Sequence, residues 1–150
     1  MAIDLPRAPK RYFTTHSCLQ LNTQFNRNGI MTLGIELMPM AGGRMDVSRK
    51  LIWQCSIAEL WQIARVLFKA QPEAHFSYHG TDNNKSLKVA NSDKGAGGFA
   101  FMLRKGREVK YYQICTEMAR IEVQAYIAYI LEKNEQMSFE QVLLMCKHGG

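Results

Sequence analysis

Between Ser48 and Cys55 apolar and polar side chains alternate: Arg49, Leu51, Trp53 and Cys55 fall on one face, Lys50, Ile52 and Gln54 on the other. Period-two alternation predicts a half-buried β-strand, because successive side chains of an extended chain point oppositely. The period then changes. Ile57, Leu60, Trp61, Ala64, Leu67 and Phe68 recur at i, i+3, i+4, i+7 spacing, which predicts a helix over 57–69 with one buried stripe. Ser56 and Glu59 hold the two positions of a capping box, in which the hydroxyl takes an orphan helix N–H and the carboxylate reaches back to the Ser56 amide.

The same plan returns near the C-terminus. An alternating segment over 109–115 meets Thr116, a good N-cap, and Glu117 places negative charge in the first turn of a helix over 117–133. The chain thus reads as an α+β protein of two units, about 11–70 and 74–133, each several strands followed by a helix. Within them, residues 11–25 read as one strand, Asn26-Arg27-Asn28-Gly29 as a hairpin turn, and Met31, Leu33, Ile35 and Leu37 as the core face of the next strand. The second unit has strands at 74–79, around Leu87-Lys88-Val89, and from Phe99 to Arg104, with Gly80 to Lys85 a polar loop. Its helix is apolar nearly all round, with Met118, Ile121, Val123, Tyr126, Ile127, Ile130 and Leu131, and so needs burial on two sides. Ser138 and Gln141 start a short third helix over 139–147, and Pro6 and Pro9 mark residues 1–10 as a flexible tail.

Composition narrows the class. At 150 residues and 47% hydrophobic, the chain suits one globular domain over 11–150 with a real core. A net charge of +6 and a pI near 9.3 suggest a polyanionic partner such as nucleic acid. Cys18, Cys55, Cys115 and Cys146 lie far apart, with no C-x-x-C pair and no secretory segment, and read as free thiols of a reducing cytosol. No apolar run is long enough for a membrane span, so a soluble cytoplasmic protein is expected.

Three motifs invite chemistry. His16 and Cys18 share a face if both lie on a strand, but no third group orients them as base and nucleophile. His75 and His79 on a strand stand roughly 13 Å apart, too far for one zinc ion. Gly95-Ala96-Gly97-Gly98-Phe99-Ala100 matches the G-x-G-x-x-A dinucleotide fingerprint, but strand periodicity follows it where the fingerprint must open a helix, so a mobile hairpin tip is expected. With no paired carboxylates at metal-ligand spacing and no triad, the chain reads as a binding protein without cofactor, metal or small-molecule substrate, and not as an enzyme.

Arg27-Asn28-Gly29-Ile30-Met31 running on to Pro39, Ala41 and Gly42, then Asp46-Val47-Ser48-Arg49-Lys50, then Leu87-Lys88-Val89 with the glycine turn and Phe99, together resemble the Whirly single-stranded-DNA-binding proteins and their relatives, the mitochondrial guide-RNA-binding proteins. The likeness runs from about Tyr12 to Leu131. It implies two four-strand-plus-helix units (ββββα-ββββα) related by a pseudo-twofold, with antiparallel sheets packed on helices that gather at the centre of a tetramer. Met45 and Val47 stand where the family has tyrosine and tryptophan, and Thr14 to Leu19 occupies the strand that carries a lysine-glycine-lysine-alanine-alanine-leucine motif in plant members. The absence of an organelle transit peptide points to a bacterial, phage or plasmid protein.

The resemblance and the basic charge imply a single-stranded-DNA-binding protein with little sequence preference, acting in replication, recombination or repair. Single-stranded RNA binding, annealing or transcriptional regulation is the nearest alternative, and an interaction or scaffold protein that binds no nucleic acid is the rival of another class. By alternation Lys50, Gln54, Lys88 and Arg104 point away from the core, and Lys105, Arg107, Lys110 and Tyr112 lie nearby in sequence. Near Lys110 two registers fit, one turning Tyr112 outward and the other Tyr111. The two-sided second helix suggests a homotetramer interface at Ile121, Ala125, Ile127, Ala128 and Leu131.

Overall fold

The computed structural model describes residues 8–79 and 84–148. Residues 1–7 of the tail expected over 1–10, residues 80–83 of the loop expected over 80–85, and the side chains of Tyr78 and His79 lie outside the described residues, while Lys10 and Lys85, at the ends of those stretches, belong to strands.

In the first unit, β1 (Lys10–Phe13), β2 (Ser17–Phe25) and β3 (Met31–Ala41) pair antiparallel in sequence order, β5 (Leu51–Gln54) adds to the far side of β3, and the two-residue β4 (Arg44–Met45) pairs with its end. Helix α1 (Ile57–Leu67) follows. The second unit is a four-stranded antiparallel sheet of β6 (Glu73–His79), β7 (Lys85–Asn91), β8 (Phe99–Lys105) and β9 (Glu108–Ile114), followed by α2 (Glu117–Glu135) and the short α3 (Phe139–His148). This is the α+β layout expected from the repeat, with two antiparallel sheets and a C-terminal helix.

The caps explain where the helices start. Glu59 N donates to Ser56 Oγ at 3.1 Å and Ser56 N to Glu59 Oε1 at 2.9 Å, closing the capping box of α1. Ser138 and Gln141 make the same reciprocal pair at α3, at 2.8 and 3.2 Å. Thr116 caps α2 by accepting from Ala119 N at 3.2 Å. At their C-terminal ends, Lys69 beyond α1 (φ 61°) and Gln136 at the cap of α2 (φ 53°) turn left-handed, which stops each helix.

Three expectations are corrected. The run over 11–25 is two strands, because the Thr14 hydroxyl accepts from His16 N and Ser17 N and folds the chain back between them. His16 therefore sits in a turn and shares no strand face with the buried Cys18. The strand expected over 48–55 begins only at Leu51, since Val47–Arg49 forms a 3-10 turn, with Arg49 N and Lys50 N donating to Asp46 O and Val47 O. The glycine-rich connection is no free hairpin tip: a Cβ at Gly97 would stand 1.8 Å from Thr116 O at the start of α2, and one at Gly98 2.2 Å from Ser92 O within the connection itself, so glycine is needed for both close approaches.

Both sheets and all three helices bury into one apolar cluster. Leu19, Ile35 and Trp53 of the first sheet and Val89, Phe99 and Phe101 of the second meet Leu60, Ile63 and Leu67 of α1 and Ile127, Ile130 and Leu131 of α2. Each such side chain, fully buried, contributes about 1.5–3 kcal/mol. The opposite faces of both sheets are turned away from this core, and on the first sheet the outward-facing Thr32, Glu36 and Met38 are nevertheless buried within the chain.

Candidate nucleic-acid interface

Register sets what each outward face carries. On the second sheet His75, Lys88, Met102 and Tyr111 lie opposite one another across the four strands, and Ser77, Ser86, Arg104 and Val109 form the next row. Tyr111 is 48% exposed and Val109 is exposed beside it. The Tyr111 hydroxyl donates to Gln113 Oε1 at 2.8 Å, which steadies the ring on the sheet. An outward aromatic and a thioether flanked by cations are side chains chemically suited to stacking on flat rings and pairing with anions.

On the first sheet the outward face is amide-rich. Arg11, Gln20, Glu36 and Ile52 form one row, and Asn22, Gly34 and Gln54 the next. Between the sheets runs a groove of about 410 Å³ whose walls include His16, Met38 and Pro39 on one side and Val109, Lys110 and Tyr111 on the other.

The cations of the sequence reading fare differently. Lys50 precedes β5 and pairs with Glu36 at 3.0 Å, and Lys88 pairs with Glu73 at 3.2 Å with both partners half exposed. Gln54, Arg104, Lys105 and Arg107 are exposed, and among the described residues the last three have no ion-pair partner. Lys110 belongs to the core-facing side of β9, where its side chain is 12% exposed and pairs with Glu108 at 3.2 Å. Lys105 lies opposite Lys85, whose ammonium donates to Ile52 O at 3.0 Å and is pulled below its ordinary range by burial and then by Lys105.

Tyr112 is the clear correction. It faces the core at 5% exposure, so Tyr111 is the outward ring. Burial, followed by Cys18 and Cys115, pushes its phenol up to about 12. The sequence reading also passed over Met102 and Val109, which alternation from Arg104 and Tyr111 could have supplied, and over Glu36, which nothing local marks.

In α2, Ile127, Ala128 and Leu131 are buried within this chain, against expectation as an interface. The two-sided apolar surface is largely absorbed by α1, α3 and β3, leaving Met118, Ile121 and Ala125 exposed on one stripe. Among the described residues no group of three His, Cys, Asp or Glu side chains could hold a metal ion, and no helix is long and apolar enough to cross a membrane.

Two sheets of this order, each followed by its helix, define a Whirly-like fold. The backbone matches the crystal structure of WHY3 from Arabidopsis thaliana with a TM-score of 0.65 at 15% identity, covering 95% of this chain and 96% of that one. It matches the crystal structures of Trypanosoma bruciei MRP1/MRP2 with a TM-score of 0.61 at 12% identity, covering 88% of each chain. No protein-family model and no curated protein matches the sequence.

Proposed function

We propose that this protein binds single-stranded DNA with little sequence preference, as a homotetramer, in replication, recombination or repair. The observation that carries the reading is the outward face of the second sheet, where Tyr111, Met102 and Val109 lie among Lys88 and Arg104, with Lys105 and Arg107 at the end of the same hairpin. Such a face stacks bases without reading their edges and neutralises phosphates with release of counterions. The Whirly-like fold and the net charge of +6 support the same reading. The exposed stripe of Met118, Ile121 and Ala125 supports assembly through α2, and Leu144 and Met145 on α3 are further exposed apolar side chains.

Fluorescence anisotropy with DNA and RNA oligonucleotides of one sequence, single-stranded and duplex, at matched salt tests this. Binding to single-stranded DNA that weakens steeply with salt and exceeds duplex binding is expected. Equal affinity for RNA would move the assignment to single-stranded nucleic acid at large, and no salt-sensitive binding would leave a scaffold protein.

A further inference from the structure

A pocket of about 210 Å³ opens on the outward face of the first sheet, walled by Met38, Met45 and Val47, with Arg11, Glu36 and Lys50 at its polar end. Glu36 is the unusual member. Its strand position faces outward, yet its side chain is only 7% exposed. Oε2 accepts from Gln20 Nε2 at 3.3 Å and from Asn22 Nδ2. Oε1 lies 3.0 Å from the Lys50 ammonium in an ion pair outside hydrogen-bond geometry, and receives no hydrogen bond. A buried carboxylate oxygen in that condition gains from any N–H brought to it.

The cations beside it are also open on one side. Arg11 Nε donates to Gln20 Oε1, and its two terminal nitrogens have no partner among the described residues. Gln20 therefore ties Arg11 and Glu36 together, holding a guanidinium fork and a carboxylate at fixed positions around one apolar slot.

We propose that this pocket takes a single guanine base of a bound strand. Guanine carries N1–H, O6 and N7 in sequence along the edge away from its sugar. That run of donor, acceptor, acceptor matches Glu36 Oε1 beside the ammonium of Lys50 and the fork of Arg11, and arginine or lysine on O6 and N7 is the commonest specific base contact. Cytosine has a comparable run, but its O2 lies against the glycosidic bond, and one ring covers less of the Met38, Met45 and Val47 walls. Thymine has an acceptor on either side of its single donor, and adenine has no carbonyl for a cation. The proposal rests on the strand-binding function above and alters it at one position: charge and stacking hold the strand, and one base is read.

The test is anisotropy on the full chain with oligothymidine and with the same oligomer carrying one central dG, dC or dA, at fixed salt. The dG oligomer is expected to bind about tenfold more tightly than oligothymidine. Val47→Trp, at an exposed position on the rim, narrows the mouth, and Glu36→Gln removes the carboxylate. Each is expected to lose the dG advantage, read as the ratio of dG-oligomer to oligothymidine affinity within that same variant, with unchanged circular dichroism. Equal binding of all four oligomers, a preference for dC, or an intact dG advantage in Val47→Trp overturns the pocket and leaves strand binding standing. Tight binding of free dGMP without any preference among oligomers overturns the strand-borne reading. Failure to bind any oligomer overturns the function itself and the pocket with it.

Discussion

Arg120 of α2 donates through Nη2 to the main-chain oxygen of Leu67 at 2.6 Å, tying the second helix to the C-terminal end of the first. The same nitrogen reaches Val66 O and Asn91 Oδ1, Nη1 donates to Gly98 O at 2.9 Å, and the guanidinium stands 5.6 Å from the centre of the Phe99 ring. A helix ends with carbonyls that have no intrahelical partner, and its C-terminus favours positive charge. Arg120, 4% exposed, answers both needs and joins the two units at one side chain.

Replacing Arg120 with Met is therefore expected to lower the unfolding free energy by about 2–4 kcal/mol, since several buried acceptors lose a charged donor. Arg120→Lys should recover only part of this, because one ammonium cannot span Leu67, Asn91 and Gly98. Urea titrations of the three proteins measure it. A midpoint for Arg120→Met equal to that of the parent would contradict the tie.

On the outward face, charge and stacking separate by their salt dependence. Arg104→Ala is expected to reduce the slope of log affinity against log salt by about 0.7, the increment for one phosphate contact on a single strand. Lys50→Ala should change the slope less, because Glu36 already neutralises Lys50. Tyr111→Ala should cost about 1–3 kcal/mol of binding with little change in slope. Anisotropy at four salt concentrations distinguishes these outcomes, and an unchanged slope in the Lys50, Lys88 and Arg104 triple alanine protein would rule out the face.

Helix α2 offers two substitutions of the same kind with different results. Ile127→Asp puts a charge where the side chain is fully buried in its own chain, and loss of folding by circular dichroism is expected. Ile121→Asp lies on the exposed stripe and should leave a folded protein whose mass by light scattering falls to that of the monomer. A folded Ile121→Asp tetramer would place the assembly elsewhere.

Alkaline pH should weaken the fold. The Tyr112 phenol is pushed up to about 12 from 10.0, and Tyr12 shifts the same way, chiefly by burial and then by Glu122. The native state keeps protons that the unfolded chain releases, so this stability is complete below about pH 10 and is lost as pH rises towards 12. Urea midpoints measured between about pH 9 and pH 11 should fall, and Tyr112→Phe should flatten the decline.

Local spacing determined much of the fold. Ser56 with Glu59, and Ser138 with Gln141, mark helix starts because a cap needs only groups three residues apart, and both boxes are made. Alternation likewise identified Leu51 and Trp53, or Phe99, Phe101 and Leu103, as core-facing. It could not choose between Tyr111 and Tyr112, since adjacent aromatics satisfy either face; pairing with β8 decided, setting Tyr111 opposite Met102 and Tyr112 opposite Phe101. A helix apolar on all sides does not say which side its own chain covers, so Ile127 and Ile121 became distinguishable only once α1, α3 and β3 were packed on α2. The Glu36 network and the Arg120 tie join residues from separate elements, as with Glu36 and Lys50, or Arg120 and Leu67. Partners that distant in sequence leave no local period or motif, and only the tertiary structure brings them within reach.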